Sequence, residues 1–490
     1  MKISEIISNV KVRMDHNFRN DIEISGLAYD SRKVEPGNIF FAIKGLKDDG
    51  NKFVGNAINK GAVIIFTEED LTSEEKVEIV KVGNIRKLMA EMSKEYYFKN
   101  SSDIRLIGVT GTNGKTTTSY LIRNILEDAG YKAGLIGTID YEYGETKMSS
   151  SLTTPDSIEM NQMLGEMTKL KADFCIMEVS SIALVMDRVH GLEFDTAVFT
   201  NLTSEHLDFH ENMDNYFAAK KILFNNLNKN NFAVSNSDDP YGRIMLNETK
   251  AFRKFYSVNN ESDLKAENVN LSLNGLEFET SFGDKTFKFR SDLSGRFNVY
   301  NILASMETAL NYNIDISLIQ RSILNFKEVN GRFNRLKLPN GAIAVIDYSH
   351  TSDSLKNAIE AAKEIVIHEN KNGKVITIFG CGGNKDRTKR PIMGEFATGL
   401  SDYAIITSDN PRYEEPMEII SEILKGIRNK KNYEVIENRE EAIKKGIEIS
   451  KPGDIVLICG KGHERYQEIK GVRNHFDDKE IVEKYKLLAA

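Results

Sequence analysis

Short apolar runs alternate with segments of helical periodicity along most of this chain. Between residues 103 and 335 the apolar runs lie at 104–109, 133–139, 174–179, 196–200 and 232–235. From residue 336 the pattern restarts, with apolar runs at 342–346, 375–379, 403–406 and 455–459. Such runs, separated by helical sequence, are typical of parallel strands covered by helices. The pattern predicts an α/β protein with two largely parallel sheets.

The first hundred residues form a smaller α/β block, with strand-like runs at 39–43 and 62–66. A β-rich part of the central block, residues 266–290, alternates apolar and polar positions. We therefore expect three domains: a small N-terminal α/β domain (1–101), a central domain (102–335) and a C-terminal Rossmann-like domain (336–490). The central domain is expected to be of the P-loop type, a mostly parallel sheet with helices on both faces.

Composition narrows the class of protein. The formal charge of −7 shows no polybasic excess, which argues against a nucleic-acid partner. Cys175, Cys381 and Cys459 are scattered in apolar runs, as expected of reduced thiols in a cytoplasm. The N-terminus lacks the apolar region of a signal peptide, and no run of about 18 apolar residues could span a bilayer. We expect a soluble cytoplasmic protein without membrane insertion.

A glycine-rich turn follows the first apolar run of the central block, and a helix is predicted from residue 119 to about 128. A strand, a tight turn and a helix direct backbone N–H groups at one point, which suits a polyphosphate. Lys115 would place a charge on the outer phosphates, and the Thr116 hydroxyl would reach Mg²⁺. Val109 stands where the common P-loop has glycine, so the turn is a shorter form, with an ordinary surface turn as the alternative. The predicted nucleotide-binding residues are Gly111, Thr112, Asn113, Gly114, Lys115, Thr116 and Thr117.

Two polar positions after later strands suggest a metal or phosphate site. Glu178 ends an apolar run, where a carboxylate beside a P-loop suits Mg²⁺; a solvated glutamate is the alternative. His206 and His210 are four residues apart and would share one face of a helical turn. That spacing can bind zinc, but no third ligand pattern accompanies it, so a role near Mg²⁺ or phosphate is favoured. A structural histidine remains the alternative, above all for His210.

Lys220 and Lys221 lie on an otherwise apolar helix. One interpretation is structural: one lysine extends to solvent and the other pairs with an acid. The other is that an amine reacts with CO₂ to give a carbamate, an anion able to hold a metal. The sequence leaves both open.

Three polar turns follow strands of the C-terminal block, at residues 380–390, 408–412 and 460–464. They bring arginines and acids to one edge of the predicted sheet, where parallel strands place ligand sites. An arginine guanidinium can bind a carboxylate by two parallel hydrogen bonds, and acidic side chains can bind an ammonium group. Turns that carry both are therefore suited to a zwitterionic ligand. A solvated charged rim is the alternative for any one turn.

These motifs resemble the Mur ligase family, and within it the MurE type, over nearly the whole chain. Residues 30–42 are similar to the family's uridine-nucleotide end, 111–117 to its ATP loop, and 153–156 to its muramoyl-peptide contacts. The resemblance implies an N-terminal UDP-muramoyl-binding domain, a central ATP-binding ligase domain and a C-terminal amino-acid-binding domain. It implies ATP and Mg²⁺ as cofactors and a role in peptidoglycan synthesis, and so in cell-wall biogenesis, cell shape and cell division.

The resemblance also implies roles for individual residues. The catalytic set is Lys115, Glu178, His206 and Lys220, and the metal ligands are Thr116, Glu178, His206 and carbamylated Lys220. Further ATP contacts are Asn298, Arg332 and Asp347. The acyl substrate is implied to contact Ser31, Thr153, Thr154, Ser180 and Arg188. The amino acid is implied to contact Arg390, Asp409, Asn410, Pro411, Arg412, Gly460 and Glu464.

The turn at residues 409–412 resembles the pattern of members that select meso-2,6-diaminopimelate. This amino acid is lysine with one extra carboxylate, which Arg412 and Arg390 would hold by paired hydrogen bonds. The implied reaction is ATP-dependent amide formation with UDP-N-acetylmuramoyl-L-alanyl-D-glutamate through an acyl phosphate, by a monomer whose partners are small-molecule substrates. Two alternatives stay open: the same chemistry with L-lysine or another diamino acid, and an ATP-binding switch or scaffold.

Overall fold

The computed structural model describes residues 1–14, 22–45, 48–71, 77–99, 103–272, 274–369, 372–428 and 430–489. Three α/β domains follow one another along the chain, each with its own parallel or mostly parallel sheet. The expected boundary at residues 101/102 lies outside the described residues. Over the described ranges, no helix combines the length and the apolar character needed to cross a bilayer.

The N-terminal domain has a four-stranded sheet in the order β1-β2-β3-β4, with every pair parallel. Its strands are short, and the first three are buried along their whole length, whereas β4 is a partly exposed edge strand with a charged residue at each end. Helices flank the sheet. The elements are α1 (Ile3–Ile7), β1 (Gly26–Ala28), β2 (Asn38–Phe41), α2 (Val54–Asn59), β3 (Ile64–Thr67), β4 (Glu78–Lys81) and α3 (Ile85–Tyr97).

The central domain begins with the strand, turn and helix of the glycine-rich motif. Its first elements are β5 (Arg105–Thr110), α4 (Lys115–Asp128), β6 (Ala133–Ile136), β7 (Asp140–Tyr143), β8 (Thr146–Ser149), α5 (Ser157–Lys169), β9 (Phe174–Glu178), α6 (Ser181–Val185), β10 (Phe194–Phe199), α7 (Leu207–His210) and α8 (Met213–Asn225). The later ones are β11 (Phe232–Asn236), α9 (Gly242–Met245), β12 (Phe252–Ser257), β13 (Leu264–Lys265), β14 (Glu267–Ser272), β15 (Gly275–Phe282), β16 (Lys285–Ser291), α10 (Arg296–Leu310) and α11 (Ile316–Asn325).

The main central sheet has nine strands in the order β13-β12-β11-β10-β5-β9-β6-β7-β8. It is parallel from β13 to β6, and the hairpin strands β7 and β8 extend it antiparallel. The β-rich part of the sequence forms a separate antiparallel sheet, β14-β15-β16. Successive side chains of β5 explain the two covering layers: Ile107 packs with helices α4 and α10, whereas Leu106 lies in the core that contains α5 and α8.

The C-terminal domain has a six-stranded sheet in the order β17-β18-β22-β19-β20-β21, in which only the β17–β18 pair is antiparallel. A two-stranded hairpin, β23-β24, stands apart from this sheet. The elements are β17 (Asn334–Lys337), β18 (Ile343–Asp347), α12 (Ser352–Glu369), β19 (Val375–Phe379), α13 (Lys389–Leu400), β20 (Tyr403–Ile406), α14 (Pro416–Leu424), β21 (Tyr433–Val435), α15 (Arg439–Ile449), β22 (Ile455–Cys459), β23 (Tyr466–Ile469), β24 (Val472–His475) and α16 (Asp478–Tyr485).

The predicted fold class is confirmed, and β19, β20 and β22 have the bounds expected from the apolar runs. The expected boundary at 335/336 falls inside β17, which begins at Asn334 and pairs with β18 of the C-terminal sheet. The junction therefore lies earlier, at the segment that carries Gly331 and Arg332. The hydrophobic pattern missed this because β17 is a polar edge strand with no apolar run of its own.

Candidate active site

A cavity of about 820 Å³ lies between the central and C-terminal domains. Its walls come from the turns after β5, β9, β10 and β18, and from helices α10 and α12. Carboxyl ends of parallel strands are where open α/β sheets place ligands. Of the residues predicted from the sequence, those that line this cavity are Thr112, Asn113, Gly114, Lys115, Thr116, Thr117, Thr153, Glu178, Ser180, His206, Arg332 and Asp347.

The glycine-rich turn leads directly into α4, which begins at Lys115 and not at residue 119. Gly114 closes the turn with φ +86°, a left-handed conformation that favours glycine, so the helix starts at the next residue. A Cβ on Gly111 would lie 1.9 Å from the Thr200 hydroxyl, so the turn packs tightly against the loop after β10. The N-terminus of a 14-residue helix therefore points into the cavity, which suits an anion.

Lys115 lies at this helix start with its amine turned back on the turn. Its Nζ donates to the carbonyl oxygens of Gly111, at 2.9 Å, and Thr112, at 2.8 Å. Burial lowers the pKa of Lys115, although Glu205 and Glu178 partly offset the effect. An anionic group in the cavity would give this amine a stronger partner than two carbonyls.

Glu178 ends β9 and is the centre of a hydroxyl network. Its Oε2 accepts from the hydroxyls of Thr116, at 3.1 Å, and Thr138, at 2.9 Å, and its Oε1 accepts from the Thr138 N–H at 2.9 Å. Arg332, from the domain junction, donates to the Thr116 hydroxyl at 2.8 Å. The structure thus brings Thr116, Glu178 and Arg332 into contact, and their roles in binding metal and ATP stay predictions. Thr138 was missed, because it lies in a loop with no motif.

His206 and His210 have different surroundings. His206 precedes α7 with φ +56° and lines the cavity, whereas His210 is buried and bonded through Nε2 to the Ser181 hydroxyl at 2.9 Å. The two rings therefore do not form a shared ligand pair, and His210 has the structural position left open by the sequence. Among the described residues, no three His, Cys, Asp or Glu side chains form a group that could hold a metal.

Glu205, beside His206, is a site residue that the sequence did not single out. Its Oε1 lies 3.5 Å from Nε2 of His350, which comes from the C-terminal domain, and 3.8 Å from Nε2 of His206. Burial alone would raise its pKa, but His350, His206 and Lys115 hold the pKa of Glu205 below its usual range. In the sequence, Glu205 could have been identified as a candidate site residue only because it precedes His206 in the same turn.

Lys220 is buried beneath the glycine-rich turn. Its Nζ donates to the Gly111 carbonyl at 3.0 Å and lies 4.5 Å from the centre of the Tyr216 ring. Burial, followed by the nearby charge of Lys115, lowers the pKa of Lys220 well below its ordinary value. Lys221, by contrast, bonds to Glu248 at 2.6 Å at the edge of the helix. The two lysines therefore divide into a buried amine and an ion-paired one.

The C-terminal domain reaches across the cavity through the start of α12. Oδ2 of Asp353 accepts from the side chains of Asn113, at 2.8 Å, and Thr203, at 3.1 Å. Asp347 accepts from the Phe333 N–H at 2.8 Å and from the Ser349 hydroxyl, and it lines the same cavity. Asp353, which the sequence did not single out, thus joins the glycine-rich turn to the other domain.

Asn298 does not line the cavity. Its Nδ2 donates to the Ser294 carbonyl at 2.7 Å, and its Oδ1 accepts from Asn301 at 2.9 Å. Asn301 does line the cavity, together with Arg296, Phe297 and Tyr300. The side chain of Asn298 therefore supports Asn301 in this structure.

The residues expected to contact the acyl substrate occupy the next stretch of the surface. Thr154 donates to the Glu178 carbonyl at 2.9 Å, and its own carbonyl accepts from Arg188 at 2.9 Å. Ser180 caps α6, accepting from the Ala183 N–H at 3.2 Å. Ser31 lies apart from this group, in the N-terminal domain, at the start of a short 3₁₀ helix.

The turn at residues 409–412 is held by the β23–β24 hairpin. The Arg412 N–H donates to the Glu468 carbonyl at 2.9 Å, and Gln467 donates to the Asp409 carbonyl at 2.8 Å. Arg412 has φ +53°, and its guanidinium donates to the Gly383 carbonyl at 2.8 Å. A non-glycine residue in this conformation is uncommon and is often found at functional sites.

Arg390 is placed differently from Arg412. Its guanidinium is buried and donates to Glu414, at 2.9 and 3.0 Å, and to Glu422, at 2.8 Å. The Arg412 side chain, by contrast, is 22% exposed. The expectation of two arginine forks facing one ligand is therefore not met here, because two carboxylates already occupy Arg390.

The third turn completes this region. A Cβ on Gly460 would lie 2.4 Å from Oδ2 of Asp409, so the two turns are in contact. Asn410 donates to Oε2 of Glu464 at 2.7 Å. The Tyr348 ring lies between His350, at 4.6 Å between ring centres, and His463, at 4.8 Å. Tyr348 and His350 both line the cavity, and Tyr348 also packs against His463 of the third turn. Tyr348 therefore lies at the border between the cavity and this turn.

Family models match three stretches of the chain. The Mur ligase middle domain matches residues 109–309, and the Mur ligase glutamate ligase domain matches residues 331–462. The Mur ligase family catalytic domain matches residues 23–97.

Two curated relatives match nearly end to end. The UDP-N-acetylmuramoyl-L-alanyl-D-glutamate–2,6-diaminopimelate ligase of Clostridium botulinum is 44% identical over 95% of this chain and 95% of its own length. The enzyme of the same name from Clostridium tetani is 41% identical over 98% of both chains.

Solved structures give the same picture. One of a UDP-N-acetylmuramoyl-L-alanyl-D-glutamate–2,6-diaminopimelate ligase is 31% identical, with a TM-score of 0.70 over 99% of this chain and 98% of that one. The MurF ligase of Thermotoga maritima in complex with ADP has a TM-score of 0.66 at 19% identity, covering 96% of this chain and 99% of its own, and so shares the fold.

Proposed function

The chain belongs to the Mur ligase family, and we propose that it joins meso-2,6-diaminopimelate to UDP-N-acetylmuramoyl-L-alanyl-D-glutamate in a reaction driven by ATP. Full-length relatives at 41–44% identity carry the name of this activity. The observation that carries the proposal is the proximity of the two sites. Tyr348 lines the same cavity as the glycine-rich turn and packs against His463 of the turn at 460–464, which contacts the turn at 409–412. A ligase needs an activated acyl group and an amine in one place.

The first step is activation of the acyl carboxylate. The carboxylate attacks the γ-phosphate of ATP, the bond to the β-phosphate oxygen breaks, and an acyl phosphate and ADP result. Two anions must approach, so the step needs positive charge around the phosphates. Lys115 leaves the carbonyls of Gly111 and Thr112 for the phosphates, and the N–H groups at the start of α4 add to the same field.

The residues around Glu178 fit Mg²⁺, which prefers oxygen ligands. The Thr116 hydroxyl and the Glu178 carboxylate lie 3.1 Å apart at the cavity wall, and His206 lines the same cavity. Bound there, Mg²⁺ would neutralise phosphate charge. Thr138 and Arg332 hold the Glu178 carboxylate and the Thr116 hydroxyl in place.

Lys220 fits the carbamate interpretation better than a structural one. Burial lowers the pKa of Lys220, which favours the neutral amine, and only a neutral amine adds to CO₂. The new carboxylate would lie under Gly111, beside the glycine-rich turn. A structural lysine would instead keep an acidic partner, as Lys221 does with Glu248.

The second step is attack by the neutral amine on the acyl phosphate. A tetrahedral intermediate forms, the attacking nitrogen loses a proton, the carbon–oxygen bond to phosphate breaks, and the amide and inorganic phosphate result. The amine is delivered by the C-terminal domain, so movement about the segment at Gly331 and Arg332 adjusts the distance between the reactants. The contacts of Asp353 with Asn113 and Thr203 hold the domains together across the cavity.

Arg412 is the residue we assign to the second carboxylate of the amino acid. Its side chain is 22% exposed; one terminal guanidinium nitrogen donates to the Gly383 carbonyl, and Nε lies 3.7 Å from Oε2 of Glu468. We assign the other terminal N–H groups to the substrate carboxylate. Arg390 supports the turn indirectly, since it holds Glu414, which lies two residues from Arg412. Asp409 and Glu464 supply the negative charge that suits an ammonium group.

We also propose that the protein acts as a monomer, because one chain supplies both the nucleotide side and the amino-acid side. We propose that it acts in the cytoplasm. Phosphate release by purified protein tests the function. We expect release only when ATP, the muramoyl-dipeptide and an amino acid are all present, with meso-diaminopimelate preferred over L-lysine. Release with ATP alone would indicate a nucleotide switch, and equal rates with L-lysine would indicate the sister activity.

A further inference from the structure

Lys461 is a buried lysine in the turn after β22 that neither the motifs nor the mechanism above uses. Its side chain has no exposure to solvent. The amine donates to Oδ1 of Asn410 at 3.0 Å and lies 3.6 Å from Oε2 of Glu464. A charged amine removed from water persists only where specific partners compensate for lost hydration. Both partners belong to the amino-acid side of the proposed active site.

The contact fixes which way the Asn410 amide faces. Oδ1 of Asn410 accepts from two donors, the Lys461 amine and the Glu468 N–H, both at 3.0 Å. Because two N–H donors bind Oδ1 of Asn410, its Nδ2 points away from them and donates to Oε2 of Glu464 at 2.7 Å. Without Lys461, one donor would remain and the amide could turn more easily.

The contact also balances charge. Glu464 faces Asp409, Lys461, His350, Tyr348 and Tyr466. Burial raises the pKa of Glu464, Asp409 raises it further, and Lys461 lowers it. Among these neighbours Lys461 has a larger effect than His350 in lowering the pKa of Glu464, and its amine lies 3.6 Å from the carboxylate.

We propose that Lys461 is a positioning residue of the amino-acid site: it orients the Asn410 amide and holds the Glu464 carboxylate for the ammonium group of the incoming diamino acid. This inference rests on the proposed function, because it presumes that an ammonium group is the ligand. It assigns Lys461 no contact with the reacting atoms.

A buried ion pair elsewhere in the same domain shows what a purely structural arrangement looks like. Arg439 and Asp478 are both buried, and the guanidinium makes two bonds to the carboxylate, at 2.7 and 2.8 Å, and one to the Cys459 carbonyl. That pair joins α15 to α16. Lys461 differs, since its partners Asn410 and Glu464 lie in the turns assigned to substrate.

The test is the kinetics of Lys461→Met, which keeps most of the side-chain volume but removes the charge and the donor. We expect the KM for meso-diaminopimelate to rise at least tenfold, while the KM values for ATP and the muramoyl-dipeptide stay within about twofold. The acid limb of kcat/KM for the amino acid should move to higher pH by roughly 1 unit, the lower end of the effect of a neighbouring opposite charge.

A matched control is Asp454→Asn at the other end of β22, where the carboxylate accepts from the Lys374 and Lys451 N–H groups, each at 2.8 Å. It should lower the melting temperature without moving the acid limb. Lys461→Gln serves if the methionine variant does not fold, because it keeps a donor and loses the charge, and so should shift the pH profile.

Glu464→Gln supplies the decisive comparison. In that background Lys461→Met should have little further effect on the acid limb, because the group that Lys461 holds ionised is gone. An unmoved acid limb in folded Lys461→Met or Lys461→Gln, or equal increases in all three KM values, would overturn the proposal. Absence of amine-dependent turnover in the wild type would instead refute the proposed function.

Discussion

The proposed nucleotide side and the proposed amino-acid side of the active site are built in different ways. The nucleotide side depends on seven consecutive residues, 111–117, whose backbone and helix start create the site directly after β5. The amino-acid side is assembled from turns at 380–390, 409–412 and 460–464, and the hairpin β23–β24 holds the second of these. A contiguous site depends on local conformation, whereas a distributed site depends on packing between distant segments. The two sides should therefore respond differently to substitution.

The largest effect is expected at the nucleotide side, from Lys115→Ala. The variant loses the Lys115 amine at the start of α4, so phosphate charge is less well neutralised in the transition state. We expect kcat to fall by about 10³-fold, as for loss of a major electrostatic contact. Phosphate release measures it. Lys221→Ala, which removes a charge paired with Glu248, is the control and should keep near-normal turnover.

A comparable kcat in Lys115→Ala and the control would remove Lys115 from the mechanism. It would also remove the contrast between the two sides, because the contiguous turn would then not be the catalytic one.

Substitution of Arg412 on the amino-acid side should reduce the selectivity between amino acids without reducing the rate of the chemical step. In Arg412→Ala the second carboxylate of meso-diaminopimelate loses a bidentate partner, so kcat/KM for this substrate should fall by about 10²-fold. The rate with L-lysine should change little. Side-by-side assays of the two amino acids measure the ratio, and Arg428→Ala, an exposed arginine of the same domain, is the charge-matched control.

If Arg412→Ala keeps the wild-type preference against L-lysine, selectivity lies elsewhere in the turns. The distributed side would then depend on Asn410 and Glu464 more than on its arginine.

Acid should lower the stability of the fold through His210 of the central domain, a different group from Glu464 on the amino-acid side. Burial lowers the pKa of His210 to about 4, against an ordinary value near 6.5. Below pH 6.5 the unfolded chain therefore binds more protons than the folded one, and stability is lost as the pH falls towards 4. At pH 5 the loss in the free energy of unfolding is up to about 2 kcal/mol.

Melting temperatures at pH 7.5 and pH 5 measure this effect. The drop should be smaller in His210→Gln than in the wild type or in His368→Gln, whose side chain is exposed. An equal drop in all three proteins would mean that the pKa of His210 is the same in the folded and unfolded chains.

The smallest effect is expected at the contact between the two sides. Asp353→Ala removes the acceptor shared by Asn113 and Thr203, so the closed arrangement of the domains becomes less stable. We expect about a tenfold rise in the KM for ATP, equivalent to one or two hydrogen bonds. Steady-state kinetics measure it, and Asp353→Asn should have a weaker effect. An unchanged KM in Asp353→Ala would show that this contact does not hold the domains.

The glycine-rich turn shows which structural features can be predicted from the sequence. Strand, turn and helix were each visible because apolar periodicity and glycine positions are local signals. The helix starts at Lys115, four residues before the predicted start at residue 119. The difference arises because the positive φ of Gly114, which closes the turn, is a property of the folded backbone. The polar strand β17 was missed for a related reason: an edge strand needs few apolar side chains.

By itself the sequence determined the three-domain α/β organisation, because this follows from contiguous apolar patterns. Its motifs also indicated the family by resemblance, while the nucleotide-binding role of the glycine-rich turn stays a prediction. Only the tertiary structure decided which polar residues meet. It placed Glu205 beside His350, joined Asp353 to Asn113, occupied Arg390 with two glutamates and turned Lys461 towards Asn410. Such contacts join residues far apart in the chain, and their partners depend on how sheets and turns pack, which no local pattern specifies.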